Sequence, residues 1–366
     1  MKRIAIITLY DDVNWGNKLQ NYALQTALRS LGYDTKSIVN RDMLWKPTIK
    51  QKINKVFCIS KRKAKMQSLQ VKRKQKISGF SERFISIGET IGYSDLSRIA
   101  DEYDCYVVGS DQVWHNWTRA PKELYYFFLQ FVPIKKRVCY APSFGFDTIP
   151  EREIEKYRIG LNGFALLSCR EASGCALIER IAGRKAELVC DPTMLLTAQQ
   201  WDQVMERPDF TPTQEYILLY FLGGIGASTQ NQIDKIAKEN KLQIVDINST
   251  DKPEYYVASP SEFVYLIAHA KYVFTDSFHG SVFSILYHRP FHIYRRLDGD
   301  GSNMHGRLET LLEVTGIKMD DLTVIDGEAW MQTYEIAEQK LEQLRNKSMD
   351  YLEKAIRDSV SSSNTD

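Results

Sequence analysis

No Cys-x-x-Cys pair occurs among the six cysteines of this 366-residue chain. Cys58, Cys105, Cys139, Cys169, Cys175 and Cys190 stand apart, mostly beside apolar residues. They read as small buried hydrophobes in a reducing compartment, and their spacing excludes a zinc site. His288 and His292 are separated by Pro290, which breaks the helical face they would need, so no metal is expected. No apolar run approaches the roughly 20 residues that span a bilayer. The run Ile4-Ala5-Ile6-Ile7 is too short for a signal-peptide core, so the expected location is the cytoplasm. No Gly-x-Gly-x-x-Gly follows the first strand. NAD is therefore not inferred, and no cofactor is expected.

Net charge is also small, at +2. Its distribution is uneven. Residues 46–83 carry thirteen Lys or Arg and one acid, Glu82, which leaves the rest of the chain at −10. This stretch reads either as a contact for anionic lipid head groups or a lipid-linked acceptor, or as a solvated helical insertion in a surface loop. In the first case the protein would sit peripherally at the inner face of the membrane. No nucleic-acid motif accompanies the run, and nucleic acid is not an expected partner.

Length and an ordinary balance of 43% hydrophobic and 26% charged residues suit a soluble two-domain protein. Lys2 to Thr8 predicts a strand, Leu19 to Leu31 a helix stopped by Gly32, and Asp34 to Val39 a second strand. This is the βαβ opening of a doubly wound sheet. Tyr103 to Val108 and Arg137 to Ala141 continue it, and Leu166 to Cys169 and Leu188 to Cys190 are expected to complete it. The Pro208 and Pro212 region marks a change of domain. A second α/β unit follows, with strands at Tyr216–Phe221, Gln243–Ile247, Tyr272–Thr275, Pro290–Tyr294 and Asp321–Val324. The expected plan is α/β. A first Rossmann-like domain covers 1–195, with the basic insertion at about 46–83. A second covers 196–330, a charged helix 331–358 packs back on the first, and 359–366 is a disordered tail.

The densest chemical signal is Tyr272-Val-Phe-Thr-Asp-Ser-Phe-His-Gly-Ser-Val-Phe-Ser-Ile-Leu-Tyr287. It predicts strand, tight loop and helix start, placing His279 at a sheet's carboxyl edge beside free helix amides that favour an anion. Ser277, Gly280 and Ser281 could hold a phosphate there. Asp276 could orient the histidine or cap the helix, with the cap preferred. The bland reading of the loop is a capped helix with an incidental histidine.

Other strand-end clusters could face the same cleft. Asn17, Gln20 and Asn21 offer amides suited to sugar hydroxyls, although Asn17 could serve only as a helix cap. Ser110, Asp111 and Trp114 offer a base and an apolar platform, or a structural turn with a core tryptophan. His115 is a further candidate base. Arg170 and Arg295 are candidate anion clamps, because a planar guanidinium meets carboxylate or phosphate with two bonds. Arg296 is Arg295's alternative, and Arg307 a weaker candidate. Asp191-Pro192 reads as a strand end.

The motifs Gly16-Asn-Lys-Leu-Gln-Asn-Tyr-Ala-Leu-Gln25, Gly109-Ser-Asp-Gln-Val-Trp114, Ser168-Cys-Arg-Glu171, Cys190-Asp-Pro-Thr193 and Thr275-Asp-Ser-Phe-His-Gly280 occur in the order of the polysaccharide pyruvyl transferase family, which the chain resembles. The resemblance implies two Rossmann-like domains facing across a cleft, similar to GT-B glycosyltransferases. It implies an enzyme that moves pyruvate from phosphoenolpyruvate onto a sugar of a cell-surface polysaccharide or its precursor. The first domain would take a saccharide or lipid-linked saccharide acceptor and the second the donor. His279 and Asp111 would be catalytic. Where members carry Arg-Leu-His, this chain has Ser277-Phe278-His279, so another cation must offset the donor's charge. Strand alternation allows only one of Arg295 and Arg296 to face inward, and Arg295 is the choice. Two other functions fit the same plan: a GT-B glycosyltransferase using a nucleotide sugar, and a non-catalytic sugar-binding relative.

Overall fold

The computed structural model describes residues 1–11, 13–44, 61–115, 121–297, 302–318 and 327–361. Strands β1 (Arg3–Ile7), β2 (Asp34–Asn40), β3 (Ile87–Ile91), β4 (Cys105–Val108) and β5 (Arg137–Cys139) form a parallel sheet in the order β3-β2-β1-β4-β5. The central strands read Arg-Ile-Ala-Ile-Ile and Cys-Tyr-Val-Val and are almost wholly buried. Such continuous apolar runs suit a parallel sheet covered on both faces.

Strands β6 (Ser168–Cys169) and β7 (Glu187–Leu188) pair only with each other, correcting the expectation that they complete the first sheet. The Ser168 hydroxyl explains the break. It accepts from Ala141 N at 3.2 Å and donates to Cys139 O at 3.1 Å, occupying backbone groups beside β5 that a further strand would need.

A second parallel sheet holds β8 (Tyr216–Tyr220), β9 (Gln243–Asp246), β10 (Tyr272–Thr275) and β11 (Phe291–Ile293), in the order β11-β10-β8-β9. The strand expected at Asp321–Val324 lies outside the described residues. Each sheet reverses its winding direction once, between β1 and β4 in the first and between β8 and β10 in the second. Ligands of open α/β sheets bind at such switch points, beyond the strands' carboxyl ends. The Thr8, Gly109–Asp111, Phe221–Gly223 and Asp276–His279 segments all follow these four strands.

The helices that shape this edge are α1 (Trp15–Ser30), α2 (Lys61–Phe84), α3 (Ala172–Ala182), α4 (Pro260–Ala268), α5 (Phe278–Leu286), α6 (Ser302–Thr315) and α7 (Gly327–Ser361). Helix α4 starts at a capping box, in which Ser259 and Glu262 exchange side-chain and backbone bonds, with Pro260 in the first turn. Helix α1 docks on α4 from the other half of the molecule. The Trp15 indole donates to Ala258 O at 2.8 Å and stacks on Phe263 with centroids 5.0 Å apart. Behind the facing sheet edges, one apolar core therefore runs from α1 through the second sheet to α7.

The basic stretch is partly an internal element. In α2, Leu69, Arg73, Ile77 and Phe80 are buried along one face. The Arg73 guanidinium lies 3.9 Å from the Trp15 ring centre and donates to Asn248 Oδ1 and Tyr256 O. Lys76 pairs with Glu262 at 2.6 Å. Lys65, Lys72 and Lys74 are exposed. Residues 46–60 of the stretch lie outside the described residues.

Helix α7 returns to the first unit. Cys190 N donates to Ser348 Oγ at 2.9 Å, Tyr351 OH to Cys139 O at 3.1 Å, and Ser359 Oγ to Lys135 O at 2.7 Å. Ser359 to Ser361 are thus helical rather than part of a loose tail, and 362–366 lie outside the described residues. No described helix is long and apolar enough to cross a membrane.

Candidate functional site

His279 occupies the first turn of α5, directly after β10. Ser277 is the N-cap, accepting from Gly280 N at 3.4 Å. The Asp276 carboxylate neither caps this helix nor reaches the histidine. It accepts from Leu222 N at 2.7 Å and Gly223 N at 2.8 Å, tying the loop after β8 to the loop after β10. The expected cap role of Asp276 is therefore corrected to Ser277, whose shorter side chain reaches back to the first-turn amide.

The imidazole of His279 points across to the first unit. A Cβ on Gly16 would lie 2.1 Å from its Nδ1, so only glycine at the start of α1 lets the ring approach. Nε2 is 3.9 Å from Asp191 Oδ1 and has no hydrogen-bond partner among the described residues. Burial lowers the His279 pKa, the neighbouring charges of Arg170 and Arg307 add to that, and Asp191 and Asp111 oppose it. The neutral imidazole is favoured, which is the form that accepts a proton.

Asp191, read from the sequence as a strand end, is the hub of the first unit's edge. Its Oδ2 accepts from Arg170 at 2.6 Å and from the Ser110 hydroxyl at 2.7 Å. Its Oδ1 accepts from the Thr193 amide at 3.0 Å and hydroxyl at 2.7 Å. Burial works to raise its pKa, but the Arg170 and His279 charges and these bonds outweigh it and hold Asp191 at about 2. Arg170 is 4% exposed, and it also contacts Asp111 at 3.4 Å and Glu171 at 3.8 Å. Carboxylates of the protein thus take up most of the charge proposed for a donor anion. Asp111, assigned as a base, is held low by Arg170 against the effect of burial, which leaves it a weak proton acceptor. It adopts φ 75°, a conformation that non-glycine residues rarely take and that occurs at functional turns.

Several assigned residues take structural places. Trp114 is wholly buried, packed on Phe128 and Phe144, and donates to Phe127 O at 3.3 Å. It is a core residue and offers no platform. Gly280 packs against Thr275 and Tyr220, and the Ser281 hydroxyl donates to Ser277 O at 3.1 Å inside the helix. His115 Nδ1 bonds Phe144 O at 3.2 Å. Asn14, not Asn17, caps α1. Gln20 donates to Thr8 Oγ1 at 3.0 Å, and Asn21 Oδ1 accepts from Ser37 at 2.6 Å. Asn17, in contrast, is 1% exposed, and neither its amide oxygen nor its amide nitrogen has a partner among the described residues.

The inward arginine after β11 is Arg296, correcting the choice of Arg295, which is exposed. Strand alternation does not carry to these positions because β11 ends at Ile293 and the chain leaves the sheet. Arg296 Nε lies 3.4 Å from Asp276, and its Nε and one terminal nitrogen have no hydrogen-bond partner among the described residues. Arg307, on α6, is also buried, and burial together with the charge of Arg170 lowers its pKa to about 10. Its position one turn before the buried Leu311 was the available sequence signal that it faces inward. Among the described residues no group of His, Cys, Asp and Glu could hold a metal ion.

Solved structures share this architecture. A putative UDP-N-acetylglucosamine 2-epimerase from Listeria monocytogenes superposes with a TM-score of 0.52 at 10% identity, covering 91% of each chain. The UDP-GlcNAc 2-epimerase from Neisseria meningitidis reaches 0.43 at 14% identity, covering 94% of this chain and all of its own. Acinetobacter baumannii MurG reaches 0.45 at 9% identity, covering 94% and 99%. At these identities the Listeria likeness supports the two-domain fold alone, and the lower-scoring pair carries no argument. No match was found among curated proteins. Residues 14–297, which hold the His279 loop, the Asp191 hub and both arginine edges, match the model of one sequence family, and the chain belongs to it: polysaccharide pyruvyl transferase.

Proposed function

We propose that this protein transfers pyruvate from phosphoenolpyruvate to two hydroxyls of a saccharide or lipid-linked saccharide, forming a ketal and releasing phosphate. One hydroxyl oxygen bonds to the enol carbon as its proton is removed and a proton is delivered to the methylene carbon. The second hydroxyl displaces phosphate, and its proton leaves with the phosphate. His279 in its neutral form takes the hydroxyl proton and, once protonated, delivers it to the methylene carbon. Arg296 meets the donor's carboxylate or phosphate through its open nitrogens, with the first amides of α5 adding positive potential. Arg170 and Asp191 hold the opposite wall in place.

The observation that carries this reading is a pair of groups at the ends of adjacent strands with nitrogens that lack hydrogen-bond partners among the described residues, the buried His279 after β10 and the half-buried Arg296 after β11. A base and an anion site at one strand edge are what the reaction needs. Calorimetry with phosphoenolpyruvate, UDP and UDP-N-acetylglucosamine tests it. Binding of phosphoenolpyruvate, lost in Arg296→Met, is expected. Tight UDP binding with no response to phosphoenolpyruvate would move the protein to nucleotide-sugar chemistry. The same reading has the exposed Lys65, Lys72 and Lys74 attract an anionic membrane where the acceptor is lipid-linked, each worth about 1 kcal/mol. Sedimentation with phosphatidylserine vesicles should weaken when these three are changed to Gln, and unchanged sedimentation would remove the membrane from the proposal.

A further inference from the structure

Beyond the carboxyl ends of β1 and β2 lies a second cleft, distinct from the His279 cluster. It is open to solvent, has room for about 220 Å³, and is lined by Thr8, Tyr10, Asn40, Met43, Glu123 and Tyr126, among others. Three polar atoms in its wall have no hydrogen-bond partner among the described residues: Asn40 Nδ2, Glu123 Oε2 and Tyr126 OH. Asn40 is 5% and Tyr126 1% exposed. An unsatisfied buried group costs about 1–3 kcal/mol, and three in one wall are a large expense for a fold to carry without a partner.

Their chemistry is specific. An amide donor, a carboxyl oxygen and a phenol hydroxyl together both donate and accept, which matches a ring bearing several hydroxyls rather than a lone anion. Burial raises the Glu123 pKa, and among the described residues the charged groups in the lining are the acids Asp11 and Glu123, which disfavour a phosphate. Leu9 and Met43 add apolar surface for the C–H face of such a ring. The cleft also adjoins the His279 cluster through hydrogen bonds. The Thr8 hydroxyl donates to Ser110 O at 3.0 Å, and the Ser110 hydroxyl donates to Asp191, which faces His279.

We infer that this cleft is a saccharide subsite, in which Asn40, Glu123 and Tyr126 bind hydroxyls of a sugar ring of the acceptor. The inference rests on the proposed pyruvyl transfer for the word acceptor, while sugar binding itself does not depend on it. The test is saturation-transfer NMR on the full chain without phosphoenolpyruvate. The probes are methyl β-glucoside, methyl β-galactoside and methyl N-acetyl-β-glucosaminide, with UMP as a control. At least one glycoside should receive saturation from the wild type. Tyr126→Phe and Glu123→Gln should each weaken that binding about tenfold, the loss of roughly one hydrogen bond. Tyr126→Phe should leave the melting temperature unchanged or raised, since its hydroxyl loses no protein partner, and should leave phosphoenolpyruvate binding unchanged. Equal glycoside signals in wild type and Tyr126→Phe overturn the subsite, as does the absence of signal from all three glycosides. UMP binding that Tyr126→Phe abolishes also overturns it, in favour of a nucleotide. Glycoside binding that responds to the variant, in a protein that ignores phosphoenolpyruvate, keeps the subsite and removes the pyruvyl reading.

Discussion

Arg170 and Arg296 end facing sheet edges and are treated in opposite ways. Arg170 is enclosed by Asp191, Asp111, Glu171 and the Ser110 hydroxyl, with its side chain 1% exposed. Arg296 has one carboxylate nearby, Asp276 at 3.4 Å, and keeps two nitrogens without partners among the described residues. The first arginine commits every nitrogen but Nε to the protein's own acids and Ser110, and fixes the shape of the wall. The second keeps its hydrogen-bonding capacity open, and its neighbour Asp276 is already engaged by two backbone amides. Charge alone therefore does not mark a ligand group at this edge; unspent donors do.

The largest effect should come from Arg170→Met. It leaves Asp191 buried beside no cation and should cost about 3–5 kcal/mol in urea unfolding. Arg296→Met should cost less than about 1 kcal/mol in the same assay, and equal losses would erase the contrast. Next, His279→Ala should keep its fold and lower turnover roughly 100-fold or more. In the parent enzyme kcat/KM should rise with pH and level off at a pKa below the usual histidine value of about 6.5, because burial favours the neutral ring. Asp191→Asn should move that limb lower still, since it removes a carboxylate that raises the pKa. A limb above 6.5 would reverse the assigned protonation state.

A pH effect on stability of about 2 kcal/mol should follow from Asp191 itself. Its pKa is held at about 2 when folded, below the unfolded value, so its contribution is complete above about pH 4 and fades as pH falls toward 2. Thermal melts across pH 2–6 measure this, and the dependence should flatten in Asp191→Asn. The smallest effect separates the neighbouring arginines. Arg296→Lys should weaken phosphoenolpyruvate binding about tenfold, because the ammonium keeps the charge but loses the planar fork. Arg295→Lys should bind normally.

Much of the fold was legible because parallel strands buried on both faces write themselves as apolar runs, as in β1, β4 and β8. The histidine loop was legible for the same reason: it follows such a run and opens a helix. Contacts made across the seam were not. Asp191 reads locally as the residue before a proline, and its role comes from Arg170 and His279, which lie far from it in sequence. Trp114 looked like a binding platform because nothing nearby in sequence announces Phe128 and Phe144 on its faces. Arg73 sits in a run of lysines, and only helical phase with Leu69 and Ile77 distinguishes it from its solvated neighbours. The choice of Arg295 failed where β11 ended earlier than its composition suggested.

Helix α7 gives the molecule a second crossing between its halves. The first crossing is the chain from β7 to β8, and the second runs from α6 back to the first sheet, bonded at Cys190, Cys139 and Lys135. The docking of Trp15 on α4 and the bonds of Arg73 to Asn248 and Tyr256 tie the halves at further points. Ser110, Asp191 and His279 therefore belong to a wall whose supports lie on both sides of it, and a substrate entering there meets groups already held in place by the fold.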